Sequence, residues 1–198
     1  MFRSISIIVT GFVLYSGAVA VSQENSQLTV VAFNDAGIPA AVLRQAEEIT
    51  HRIFKEAGIR LVWKDRADPK SDPIRLFVRI VPHSLNLPGE DFGIAFVGPD
   101  GRGLQADVFY SGIEGLAKNY SANPAEILGH VMAHELGHLL LGMNSHSSLG
   151  IMQAHWSERQ LHEMSRGALK FNKSQSRNIS SRLHLIHVPE IEAALRTH

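Results

Sequence analysis

The stretch "VMAHELGHLLLGMNSHSSLGIM", residues 131–152, gathers three histidines, one glutamate and a late methionine into a single apolar run. Leu128, Met132, Leu136, Leu139 and Leu140 recur at helical spacing and form one broad apolar arc, with His134 and His138 on the other side of the wheel. Residues at i and i+4 stand about 40° apart on one helix face, so both imidazoles can reach one tetrahedral ion at about 2.0–2.1 Å. Glu135 lies about 100° round from His134, beside such an ion rather than stacked over it. A carboxylate placed there can take a proton from water. This is the mechanical sense of a His-Glu-x-x-His pattern: two zinc ligands and a general base from one turn of rigid scaffold.

A catalytic zinc takes three protein ligands and keeps one position open. Two candidates stand out for the third. His146 follows the helix-stopping Gly142 and can be carried back beneath the first pair; Glu158 lies on the next predicted helix. His155 and His162 are weaker candidates, better read as surface histidines. His130 extends the stripe one turn earlier but stands about 12 Å from His138 along the axis, so it reads as a supporting or packing residue.

Working outward, "SANPAEIL" (121–128) starts the helix: Asn123 can cap, Pro124 suits the first helical position, and Glu126 can complete a capping box. Upstream, "LTVVAF" (28–33) reads as a strand, 39–57 as a helix with Ala41, Ala46, Ile49, Ile53 and Phe54 at helical spacing, and Gly58 as its stop. "IRLVW" (59–63) and "IRLFVRIV" (74–81) are further strands. "GIAFVG" (93–98) and "LQADVFY" (104–110) flank a Pro-Asp-Gly-Arg-Gly turn as a hairpin. "LQADVFY" reads equally well as an interior strand or as a sheet edge able to pair with an extended peptide. Downstream, 157–166 and 172–183 are predicted helices, with no assignment from 184. Strands followed by helices make an α+β domain.

Lys+Arg and Asp+Glu both number 19, so the net charge is zero. The basic stripe that nucleic-acid binding needs is absent, and no nucleic-acid partner is expected. Residues 1–20 read as a signal peptide: Arg3, the apolar run 5–15, and Ala18-Val19-Ala20 as a cleavage site. The run nearly reaches spanning length, which leaves an uncleaved anchor as the alternative. Residues 21–27 read as a polar linker and 28–198 as one catalytic domain, exported to the periplasm or beyond, with no stable membrane association after cleavage. The chain has no cysteine. Disulfides and thiolate zinc ligands are therefore excluded, and stability rests on a packed core and a metal.

Residues 134–152 resemble the metzincin clan of zinc endopeptidases, which includes the matrixins, and are similar in particular to its small exported bacterial members. The resemblance implies His134, His138 and His146 as ligands of one catalytic zinc and Glu135 as the base. It makes Gly142 the helix-ending glycine and Met152 the methionine of a tight turn under the metal. It further implies a mixed, mostly five-stranded sheet with a backing helix at 39–57, an active-site helix at 124–141 and C-terminal helices. The implied function is hydrolysis of a peptide or protein substrate. Two alternatives remain on the same fold: a catalytically inactive zinc- or protein-binding module, which would not need Glu135, and a closed structural zinc site completed by His155 or Glu158. The chain departs from the clan in its spacing. Five residues separate the second and third histidines in the clan, but residues 139–145 do so here, which puts Asn144 at the clan position and shifts the glycine by one. Gln153-Ala154-His155-Trp156 stand where some branches carry a tyrosine.

Overall fold

The computed structural model describes residues 27–64, 75–84, 92–142 and 145–195, with side chains to 184. The signal segment 1–20, the linker up to residue 26, the loop from 65 and Asn144 lie outside the described residues. The elements run β1 (Gln27–Asn34), α1 (Ala40–Glu56), β2 (Arg60–Trp63), β3 (Arg75–Val81), β4 (Gly93–Phe96), β5 (Gln105–Phe109), α2 (Tyr110–Tyr120), α3 (Pro124–Leu141), α4 (Glu158–Ser165) and α5 (Lys173–Leu195). The fold is α+β with a mixed five-stranded sheet, as expected.

The strand order is β2-β1-β3-β5-β4. β1 pairs in parallel with β2 and β3, and β3 pairs in parallel with β5. β4 alone is antiparallel, with Gly93 opposite Val108 and Phe96 opposite Gln105. A parallel pair needs a crossover, and α1 supplies it between β1 and β2. β4 and β5 are joined by the predicted hairpin, closed by Gly98 N–H donating to the Arg102 carbonyl at 2.7 Å. β5 therefore lies inside the sheet and β4 forms its edge. The reading of "LQADVFY" as an edge strand is thus corrected. Its Ala106, Asp107, Val108 and Phe109 are all buried, as suits a strand paired on both sides.

α1 covers the sheet with Ala46, Ile49, Thr50, Ile53 and Phe54, whereas Ala41, read as part of that face, is exposed. The helix ends where Gly58 takes φ +81°. α3 packs against α1, and the Thr50 hydroxyl lies 2.9 Å from the carbonyls of both Ala46 and Gly129, tying the two helices together. Leu128, Met132, Leu136, Leu139 and Leu140 of α3 are buried as the wheel predicts. Each such side chain contributes roughly 2 kcal/mol of transfer free energy, before the entropy of ordering is set against it.

At the start of α3 the Asn123 side chain accepts the Ala125 N–H at 2.9 Å, with Pro124 at the first helical position. The glutamine-type box forms instead at α4, where Ser157 N–H and Oγ–H both donate to Gln160 Oε1. Two elements differ from the sequence reading. α2 starts directly after β5, and its Gly112 and Gly115 lower its helix propensity, yet it buries Ile113 and Ala117. α5 continues well beyond 183, to Leu195. Among the described residues no helix is long and apolar enough to cross a membrane.

Candidate metal centre

α3 brings His134, Glu135 and His138 to the same side of one helix, facing β4 and the 145–156 segment. The helix stops at Leu141 because Gly142 takes φ +90°, a backbone conformation that side chains disfavour, while its N–H bonds back to the His138 carbonyl at 2.9 Å. Past the helix end, His146 stands beneath it, beside His138. His138 Nε2 lies 3.0 Å from His134 Nε2 and 3.1 Å from His146 Nε2. These three histidines form a group able to hold a metal ion. Glu158 opens α4, and neither it nor His155 and His162 belongs to that group.

The fit to a cation follows from the protons. The Ile151 carbonyl can only accept, so His134 Nδ1, 2.7 Å away, must donate to it. In the neutral ring that leaves His134 Nε2 as a bare lone pair. His138 Nδ1 has its own partner in Ser145 Oγ at 2.8 Å. One proton cannot satisfy three converging nitrogens, whereas one cation accepts all three. Nitrogens sharing a tetrahedral ion at about 2.0–2.1 Å would stand about 3.4 Å apart, so the observed spacing needs only a small spread. The charge states agree. Burial lowers His134 to about 4, against the Ile151 carbonyl that favours the charged ring, and His146 lowers it further. Burial followed by the neighbouring His134 and His146 lowers His138 to about 3. Neutral imidazoles are the ligand form.

The turn below α3 is built around Met152, which is fully buried. Its sulfur lies 2.6 Å from the point where a Cβ at Gly137 would stand, so the absence of a side chain there lets the turn close against the helix. Ser147 N–H donates to the Met152 carbonyl at 2.8 Å, and Ile151 N–H to the Lys170 carbonyl at 3.0 Å. The turn is thereby anchored on both sides, and the carbonyl of its Ile151 orients His134.

His130 does not support the other histidines. It is buried, its Nδ1 lies 2.8 Å from the Glu126 carbonyl, and it lines a separate cavity between α1, α3 and the 164–170 segment. Burial pushes it down to about 4.

The three imidazoles and Glu135 line a cleft of about 410 Å³ between α3, β4 and the 153–156 segment. Phe92 and Trp156 stack at 6.3 Å on its wall, and Trp156 meets the His134 ring edge-on at 5.6 Å. Sequence reasoning missed Phe92, Gly93 and Trp156 as cleft residues, and Ser145 as the partner of His138. Phe92 and Gly93 carry no local signal, since only strand order puts them opposite α3. Ser145 had one, in its position beside His146.

No protein-family model matches the sequence, and no curated protein matches it either. Among solved structures the fold is similar to that of archaemetzincin from Methanopyrus kandleri. The TM-score is 0.57 and the identity 15%, over 83% of this chain and 99% of that one. The chain thus shares the α+β architecture of an archaemetzincin and holds, in the cleft of that architecture, a histidine triad able to bind a metal ion.

Proposed function

We propose that the chain is a zinc-dependent endopeptidase. The observation that carries this reading is the convergence of His134, His138 and His146 Nε2 atoms in a cleft that also holds the Glu135 carboxylate. Its support is the motif spacing and the likeness to an archaemetzincin. His134, His138 and His146 would hold one zinc ion, and Met152 and Gly142 shape the turn and helix end around it. Bound zinc would supply Lewis acidity, making water a usable nucleophile near neutral pH. Glu135 takes the proton as water attacks the scissile carbonyl, then passes it to the leaving amine. Among the described residues the outer edge of β4 pairs with no other strand, and β4 borders the cleft along Gly93, Ile94 and Ala95, where an extended peptide can add as a further strand. The substrate is a peptide or unfolded protein segment. Residues 1–20 direct export and are removed, on the sequence pattern described above.

The test is Glu135→Gln. Zinc content and fold should be kept while hydrolysis of an unfolded protein falls by at least about 10²-fold, the scale of general-base catalysis. Hydrolysis at the wild-type rate would refute the mechanism, and no hydrolysis by the zinc-loaded wild type would leave a binding module on the same fold.

A further inference from the structure

We infer that Gly93 is a positioning residue for the Glu135 carboxylate, an inference that rests on reading Glu135 as the base. Gly93 opens the edge strand β4 and pairs with Val108 across the hairpin. A methyl group at position 93 would stand 2.8 Å from each of Glu135 Cγ, Cδ and Oε1. Real side chains do not approach so closely, so the carboxylate occupies the space where any other residue would put its Cβ. The backbone of Gly93 does not account for the glycine, because its φ lies outside the left-handed region. Space does.

Two consequences follow from this contact. Glu135 is buried, and its carboxyl packs into the space that Gly93 leaves on β4, so β4 bounds where the proton acceptor sits. The same strand lines the cleft and is the sheet edge among the described residues, so seating a peptide and aiming the base depend on one element. A side chain at 93 would not break the core, since the atoms it meets are the far end of a flexible side chain beside a cleft of about 410 Å³. The carboxylate would swing into that cleft. Fold and metal would survive while the geometry of proton transfer would not, and a misplacement of about 1 Å is enough to cost on the order of 10²-fold in rate.

The experiment compares Gly93→Ala, Glu135→Gln, their combination, Glu135→Ala and Gly93→Ala/Glu135→Ala in the zinc-loaded and metal-free full chain. Gly93→Ala should lower kcat by about 10- to 100-fold with KM changed by less than about 2-fold. Zinc affinity, read by competition with a chelator, should stay within about 3-fold, because no ligand or ligand-orienting group is touched. In the Glu135→Gln background the same change should cost little further kcat. The metal-free Tm supplies a readout independent of activity. Gly93→Ala should lower it with Glu135 present, and leave it equal or raise it in Glu135→Ala, where the crowding is gone and alanine is the better strand residue. An unchanged kcat in Gly93→Ala beside an inactive Glu135→Gln would overturn the inference. So would a raised KM at unchanged kcat, which would make position 93 a peptide seat alone, or equal Tm shifts in both backgrounds. Activity retained in Glu135→Gln would instead overturn the base assignment, and the Tm pair would still decide whether position 93 governs the carboxylate.

Discussion

Gly137→Ala sets two effects of similar size against each other at the centre of the fold. On helix propensity alone, alanine in place of glycine inside α3 should stabilise by about 1 kcal/mol. The added methyl, however, would stand 2.6 Å from Met152 Sδ and 2.9 Å from Phe171 Cε1. Ordinary contacts between such atoms lie at about 3.5–4.0 Å, so roughly 1 Å must be found. Met152 is 0% exposed and Phe171 6%, which leaves no open side for either to move into. Overpacking of this kind costs about 1–3 kcal/mol, and two obstructed core side chains argue for the upper half. The net expectation is destabilisation by about 1–2 kcal/mol, a fall in Tm of about 2–8 °C for a chain of this size. The displaced turn also carries the Ile151 carbonyl that holds His134 Nδ1 at 2.7 Å, so zinc affinity should fall by about 10-fold or more. Urea unfolding of the metal-free protein and zinc titration against a competing chelator measure both effects. Met152→Ala makes room, and in that background Gly137→Ala should lose most of its cost. A Gly137→Ala protein at least as stable as the wild type, with unchanged zinc affinity, would refute the packing argument.

His146→Ala should weaken zinc at least about 10- to 100-fold in the same titration, and Glu158→Ala should leave it nearly unchanged; the reverse order would move the third ligand to α4. His130 has a folded pKa of about 4 against an ordinary value of 6.5, so only the unfolded chain takes up its proton between those values. Its contribution is therefore full above about pH 6.5 and is lost as pH falls towards 4, by up to about 3 kcal/mol. Urea midpoints at pH 7 and 4.5 should thus lie closer together in His130→Leu than in the wild type, and an equal acid loss in both would count against that burial. For the proposed export, intact-mass measurement of the secreted chain should show cleavage after Ala20, whereas a chain still carrying residues 1–20 would point to an anchor.

Much of the site was legible without coordinates because its geometry is local. His134, Glu135 and His138 belong to one helical turn, and a 3.6-residue period places them whatever the rest of the chain does. The Asn123-Pro124 start and the Gly142 stop are backbone preferences of single residues, and so are equally visible in one dimension. Strand identity was readable for the same reason, since each strand is a short β-rich run between turn signals.

Strand order was not. Whether residues 104–110 or 93–96 form the edge depends on which partner β5 takes on its far side, and β3 lies more than twenty residues upstream in the sequence. α2 was hidden because its two glycines weaken its propensity, while the burial of Ile113 and Ala117 against the core, which supports it, is tertiary. The third histidine is the sharpest case. Spacing left His146 and Glu158 both open, and His146, within 3.1 Å of His138, stands beside a turn anchored from elsewhere: Ser147 N–H bonds to the Met152 carbonyl, Met152 packs beneath Gly137, and Ile151 N–H bonds to the Lys170 carbonyl. A sequence read along its own length reports what one turn of helix can do. The opposition of Gly93 to Glu135, with residues 94–134 between them, exists only once the sheet has formed and α3 lies across it.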